Sequence, residues 1–416
     1  MRNVLFLGVW IFLCSSSECF ARKLWESTSD SGNSIAIASA FKGTFLQSTS
    51  SLQPSDSGTS SIAFGRFRAE PVVRLGRFVL DAAYDNQWTA DNNRISILNV
   101  LPNTSPEVLR VRQVGGNIFR NRYGLDYNEL DRFFVAYQNE SSKVVAGRQT
   151  IGWGRGTIFS AVDVFSPFSP FQFDREWKRG IDAICAEQKV SEQGSVDLFY
   201  AGSRNGNDSS YGGRLRGAQD RFDYEILVAK RAQDKMWAIT SSAPFLGSEL
   251  HGEFALFHTP GDFPSKSFFQ NSQLVPKAVL GVSNNFSIGN GITASVEYHY
   301  SGFGASSAAE LNQWLLIPSY RNRLARGDTQ IIGNQAIALS FSYIFNEKWQ
   351  SSLQNLTSLM DSSGVLAPSF TWDFLENASL LATASIPYGA EPTGSQLNSQ
   401  FGSSTKVFIV QFRVYD

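Results

Sequence analysis

Ile292-Thr293-Ala294-Ser295-Val296-Glu297-Tyr298-His299-Tyr300 changes character at every residue. Ile292, Ala294, Val296, Tyr298 and Tyr300 share one side; Thr293, Ser295, Glu297 and His299 share the other. A period of two is that of an extended strand, whose successive side chains point to opposite faces. The pattern recurs along the chain. Phe222, Tyr224, Ile226 and Val228 oppose Asp223 and Glu225, and Ile337, Leu339, Phe341, Tyr343 and Phe345 oppose Ala338, Ser340 and Ser342. Phe408, Val410, Phe412 and Val414 oppose Gln411 and Arg413. Beyond residue 21 no apolar run reaches the length of a membrane helix.

Two solvents suit such strands. In a soluble sandwich the apolar face packs on a second sheet; in a transmembrane barrel it meets lipid and the polar face lines the lumen. The connections separate the two. Short ones (139–142, 190–194, 285–290, 346–349, 375–377) alternate with long ones (85–128, 153–179, 259–275, 301–332, 389–404), as expected for tight turns at one rim and loops at the other. The chain divides into about eighteen strands, sixteen being the other even count close by. Among them are 60–69, 71–84, 129–139, 142–152 and 405–415. Aromatic residues gather at strand ends (Tyr84 and Trp88, Phe133 and Tyr137, Phe345 and Trp349, Trp372 and Phe374), where interfacial girdles place them. The expected fold is all-β: a transmembrane antiparallel barrel with a long inward-folded loop. A secreted soluble sandwich or propeller is the competing architecture.

Composition agrees. The 416 residues include 33 Phe, 34 Gly, 13 Tyr and 9 Trp, yet only 18% are charged. Apolar residues at every second position reconcile that Phe content with a mean hydropathy of -0.16. With 36 Lys+Arg against 37 Asp+Glu there is no basic excess to neutralise a nucleic-acid backbone. Residues 1–21 read as a secretory signal: Arg2, an apolar core from Val4 to Leu13, and a small-x-small site at Cys19-Phe20-Ala21. Residues 22–416 then form a single barrel. Removal of the leader leaves Cys185 as the one cysteine, so no internal disulfide forms. Three histidines with one cysteine give poor material for zinc, and the spacing of His251, Glu253 and His258 is not that of a helix-borne pair. Neither metal nor cofactor is implied. In Ser61–Arg68, Ile62 and Phe64 share a face with Arg66 and Arg68. Those arginines must sit inward or near a rim, because a charge facing lipid at mid-membrane costs roughly 2–4 kcal/mol.

The densest chemistry lies in Gly147-Arg148-Gln149-Thr150-Ile151-Gly152-Trp153-Gly154-Arg155-Gly156 and the segment that follows to Gly180. This run lacks the Gly-Lys-Ser/Thr ending of a phosphate cradle. The loop carries Asp163, Asp174, Arg175, Glu176, Lys178 and Arg179, with Asp182 just beyond, and also Phe165, Phe168, Phe171 and Phe173. So aromatic a loop needs cover, so it is expected to fold into the lumen over 153–180. There its charges either narrow and select the path or pair with the wall and pin a plug. Arg214, Arg216 and Glu297 are expected to face it from the wall.

Gly-Arg-Gln-x-x-x-Trp-Gly at a strand end, followed by Asp-Arg-Glu-Trp-Lys-x-Gly-x-Asp, resembles the porin-like outer-membrane barrels of Gram-negative bacteria. Within them it is most similar to the alginate-export-like and related uncharacterised porin families. The recognisable part is Asp131 to Asp182. The resemblance implies that Arg148 and Gln149 point into the lumen, that 153–182 forms the inward loop, and that the chain sits among outer-membrane lipids. It also implies that the barrel-assembly machinery acts on it during biogenesis. Such barrels commonly end on an aromatic residue, and Asp416 departs from that. Self-association as a homo-oligomer stays open. The expected function is a non-enzymatic channel for passive diffusion of small hydrophilic solutes, anionic ones included because arginines are plentiful on the loop and wall. The alternatives are an enzyme at the membrane rim, for which His299 beside Glu297 is the nearest candidate, and a plugged export or structural barrel.

Overall fold

A computed structural model describes residues 23–28, 32–49, 59–91, 109–120, 124–163, 165, 167–170, 172–260, 273–394 and 396–416. The signal expected at 1–21 and Phe171 of the loop lie outside these. The strands in chain order are β1 (Lys23–Thr28), β2 (Ser34–Thr49), β3 (Thr59–Leu75), β4 (Phe78–Asp91), β5 (Gly115–Arg120), β6 (Gly124–Gln138) and β7 (Ser142–Gln149). There follow β8 (Ile181–Ser191), β9 (Gly194–Ala201), β10 (Ser210–Gln219), β11 (Phe222–Arg231), β12 (Asp234–Phe245) and β13 (Ser248–His258). The series closes with β14 (Leu274–Phe286), β15 (Ile292–Ser301), β16 (Gln335–Asn346), β17 (Trp349–Ser358), β18 (Gly364–Leu375), β19 (Ala378–Tyr388) and β20 (Lys406–Tyr415).

Eighteen of these make the wall, each antiparallel to its neighbours, and β20 pairs with β2 over Ala40↔Tyr415 to Thr49↔Lys406 to close it. The remaining two are annexes. β1 pairs with the start of β2, where β20 has ended, and β5 pairs with β6 beyond the reach of β7. A closed sheet leaves no unpaired edge, a condition that any strand structure must meet to cross hydrocarbon.

Alternation decides the two faces. Phe41, Phe45, Phe67, Ile226, Val228, Phe341, Phe408 and Phe412 stand on the outside, exposed, and form a continuous apolar surface of the kind that lipid covers. At the short-turn rim Trp349 stacks on Trp372 with ring centroids 5.0 Å apart, beside Phe345, Phe370 and Phe374. Short turns are made with residues at positive φ, as at Leu246 (49°) and Gly247 (81°), which match the twist of the strands they join. The face of β3 that carries Ile62, Phe64, Arg66 and Arg68 is the inner one, and all four are buried.

Two expectations need correction. The strand break placed between 69 and 71 is absent: β3 runs on to Leu75 and turns at Gly76-Arg77. Pro71 interrupts the ladder towards β4, which passes from Ala69↔Tyr84 to Val72↔Asp81, while Ile37↔Pro71 holds on the β2 side. A proline lacks the N–H for one neighbour only and so does not end the strand. Within 301–332, read as loop, lie two short helices, α1 (Ala308–Trp314) and α2 (Pro318–Arg326). Ser307 caps the first by accepting from the Glu310 N–H, Pro318 starts the second, and Gly327 at φ 76° ends it.

These helices lie against the inward loop in the half of the lumen nearer the long loops. Leu311, Trp314 and Tyr320 join Trp153, Ile158, Phe159 and Phe165 and the inner-face residues Leu227, Met236, Phe257 and Val279 in one buried apolar cluster. The lumen wall is therefore apolar where this cluster packs against it, on the inner faces of β11 to β14.

Candidate functional site: an inward loop held by two wall carboxylates

β7 is short because the chain leaves the wall after Gln149. Gly147 permits the departure: its φ is +128°, and a Cβ there would lie 2.4 Å from the Phe133 carbonyl oxygen. The gap left in the wall is sealed by 109–120. β5 extends β6, the Asp182 N–H donates to the Leu109 carbonyl at 3.0 Å, and the Val111 N–H donates to Asp182 Oδ2 at 2.9 Å. Arg148 belongs to this seam. It stands opposite Phe133 and Asp182, both outer-face positions, and donates to Asp182 Oδ1 at 2.7 Å and to the carbonyls of Leu130 and Arg112. Arg148 and Gln149 are adjacent on a strand and cannot share a face; only Gln149 turns inward, where its amide donates to the Val145 and Ala183 carbonyls. The expectation that both point into the lumen is corrected for Arg148, and Asp182 shares its outer position.

The first half of the loop is held through its backbone. Trp153 packs edge-on against Phe165 and Phe199, with the Arg214 guanidinium 5.2 Å from its ring centroid. Glu253 of β13 then accepts from the N–H groups of Arg155, Gly156 (2.8 Å), Ala161 (2.6 Å) and Val162 (3.3 Å) and from Ser160 Oγ (2.8 Å). Glu297 of β15 accepts from the Thr157 N–H (2.5 Å) and hydroxyl (2.7 Å), from the N–H groups of Ile158 (3.0 Å) and Phe159 (2.9 Å), and pairs with His251 at 3.1 Å. Both carboxylates are buried. A buried charge is tolerable only when paired and hydrogen-bonded, and the loop supplies most of the donors here. The Arg155 side chain reaches Ser242 at 2.7 Å and lies 3.7 Å from both Asp223 and Glu225. His299, one inward step from Glu297, stacks on Phe159 with centroids 4.6 Å apart, and neither of its nitrogens has a hydrogen-bond partner among the described residues.

The second half docks through side chains on the opposite wall. Asp163 pairs with Lys178 within the loop. Phe173 packs on Leu46, Val407 and Ile409. Lys42 of β2 donates to Asp174 at 2.8 Å and to Glu176, and Glu176 also accepts from the Tyr415 hydroxyl at 2.8 Å. The Trp177 ring has the cations of Lys42, Arg66 and Arg68 at 3.9, 4.7 and 5.1 Å from its centroid. Arg66 and Arg68 are matched in turn by Asp85 and Asp131. Arg179 lies 3.3 Å from Glu129, and the Gly180 N–H donates to Asp131. Burial alone would raise the Asp174 carboxyl, but Lys42, Arg66 and Arg413 outweigh it and hold the group at about 2. Burial, with repulsion from Arg66, lowers Arg179 to about 10.

Arg175 differs from its neighbours. Its guanidinium donates to three carbonyls of its own loop, Pro170 (2.7 Å), Gln172 (3.2 Å) and Thr157 (3.4 Å), and no carboxylate lies within ion-pair distance among the described residues. Arg214 and Arg216 lie apart from the loop's charged half. Arg214 pairs with Asp197 at 2.7 Å and Arg216 with Glu187 at 2.6 Å. Among the described residues no group of three or more His, Cys, Asp or Glu is placed to hold a metal ion. The sequence reading missed Glu253 as an anchor and Lys42, Trp177, Glu129 and Asp131 as docking partners. The signal available was strand parity, which puts Lys42 and Glu253 on inner faces.

An even-stranded closed wall, an apolar exterior and a loop crossing the lumen invite comparison with known barrels. The fold is that of the outer-membrane porins. Pseudomonas aeruginosa OccK5 (OpdH) superposes with a TM-score of 0.54 at 9% identity, over 92% of this chain and 98% of that one. Acinetobacter baumannii OccAB1 gives 0.55 at 8% identity, over 97% and 99%. Pseudomonas aeruginosa OpdK, solved with vanillate, gives 0.50 at 8% identity, over 91% and 98%. No family model matches the sequence, and neither does any curated protein sequence. The narrower resemblance to alginate-export-like porins gains no support from these matches.

Proposed function

We propose that the protein is a porin-like channel of the Gram-negative outer membrane, through which small hydrophilic solutes diffuse passively, anions among them. The observation that carries this is a single loop drawn across the lumen of an eighteen-stranded wall and fastened at both ends by buried charges. Barrels of this size leave an aqueous passage unless something fills it, and the loop sets what remains. The anion reading rests on Arg175, whose charge no carboxylate cancels within ion-pair distance among the described residues and which stays protonated at any working pH. OpdK, one of the barrels sharing this fold, was solved with vanillate, an aromatic carboxylate. The test is the reversal potential in a salt gradient across a planar bilayer. The wild-type channel is expected to prefer chloride over potassium, and Arg175→Ala to lower that preference at least twofold. Equal selectivity in the two proteins would contradict the role given to Arg175.

The packing of α1 and α2 against the loop favours one competing reading, a barrel closed at rest by an apolar plug. It predicts that the intact protein shows no conductance and that deleting 157–176 creates it.

A further inference from the structure

The loop does not touch the wall evenly. Its polar contacts described above reach β2, β6, β11, β12, β13, β15 and β20, and none of them reaches β16 to β19. These four adjacent strands have an unusual composition. Their one charged side chain is Asp373, in the last residues of β18 before the short-turn rim. Every other inward position is small, apolar or an uncharged hydroxyl or amide, and the cross-strand pairs Ser340↔Gln354, Ser342↔Ser352, Ser352↔Ser369 and Gln350↔Thr371 place the polar ones side by side. Towards the long-loop rim the same strands turn apolar and sealed, through Ala336, Ala338, Leu356 and Val365. Towards the short-turn rim they open: Gln350 and Ser352 are exposed. The Gln354 amide nitrogen is buried without a partner among the described residues.

The geometry points to the short-turn half of this arc as the stretch of lumen wall along which solute passes, its hydroxyl and amide groups contacting the uncharged, hydroxyl-bearing body of small solutes. The inference rests on the channel reading above and adds to it where the path lies and what recognises the solute there. On the opposite arc, Arg66 and Arg68 are buried and already matched by Asp85, Asp131 and the Trp177 ring, so a solute would have to displace the loop to reach them. Breaking such buried pairs leaves unpaired charge, which is costly. On the β16–β19 side a passing hydroxyl exchanges hydrogen bonds with water for similar ones with serine and glutamine. Such exchange is close to neutral in free energy, so the solute is guided without being trapped.

The test uses the mature chain with Cys185→Ala, reconstituted in planar bilayers. Ser352→Cys and, separately, Gln350→Cys are treated with a charged methanethiosulfonate reagent, and Thr44→Cys, on the buried face of β2, is the control. Conductance is expected to fall by at least half in the first two and to stay within a tenth of its starting value in the control. Conducting channels in which neither cysteine responds would overturn the inference while leaving the channel reading intact; absence of conductance before labelling would strike the channel reading itself. A second measurement isolates recognition. Replacing Ser340, Ser342 and Ser352 by Ala widens the path and removes hydroxyls, so sorbitol-driven liposome swelling should slow at least twofold while ion conductance does not fall. Swelling that keeps pace with conductance would show a passage without recognition.

Discussion

Replacing Glu253 and Glu297 together by alanine is expected to multiply the single-channel conductance several-fold and to make the open current noisy. These two side chains accept from seven backbone N–H groups between Arg155 and Val162, two hydroxyls and one imidazole. Hydrogen bonds to a charged group contribute roughly 1.5–3 kcal/mol each, and stranding a buried donor costs about 1–3 kcal/mol. The contributions are not additive within one network, but all of these donors lose their acceptor at once. Glutamine at both sites is the milder variant, since an amide retains one acceptor oxygen; it should shift conductance less than alanine does. Both proteins keep the wall intact, because the carboxylates face the loop and the strand ladders of β13 and β15 do not depend on them. Heat-modifiable migration on gels checks that the barrel has folded. A double alanine variant with wild-type conductance would show that the two glutamates do not hold the loop.

The second large effect is acid release of the loop's other end. Asp174 is held at about 2 in the folded protein, below the ~3.9 of a free aspartate. A group whose folded pKa is depressed stabilises above its unfolded value, and that stability is lost as pH falls through the folded one. Docking of 174–177 on Lys42 is therefore expected to persist at pH 5, to weaken below pH 4 and to fail near pH 2. The difference corresponds to between about 2 and 3 kcal/mol. Conductance recorded from pH 6 to pH 2 should show a transition at the acid end. Asp174→Asn removes the charge at every pH, so its conductance at pH 6 should match that of the wild type near pH 2, with the acid transition greatly reduced. A wild-type transition centred near pH 6, or an unchanged one in Asp174→Asn, would place the responsible group elsewhere.

The two anchors show which parts of the structure the sequence discloses. Glu297 is readable as inward from its place between Val296 and Tyr298, since parity requires only local alternation. That its partners are backbone N–H groups of a loop some 140 residues earlier is not readable, because the contact is made only when the barrel closes. Arg148 shows the same limit in reverse. It was expected in the lumen beside Gln149, although strand parity forbids both, and the seam it closes depends on 109–120 filling a wall position that no local pattern announces. The break expected between 69 and 71 falls beside Pro71, where the structure interrupts the ladder on one side only. The helices of 301–332 were masked by their brevity, since seven and nine residues give too few turns for a periodicity to stand out. The lack of charge in β16–β19 was present in the sequence throughout, but it gains meaning only when those strands prove to be neighbours facing away from the loop's anchors.

The central claim is that this wall and loop conduct. The most direct measurement is the single-channel current of the purified, folded wild-type protein in a planar lipid bilayer with symmetrical salt. Discrete, roughly ohmic steps are predicted, enlarged by deletion of 157–176. Correctly folded barrels that insert and pass no current at any applied voltage would contradict it.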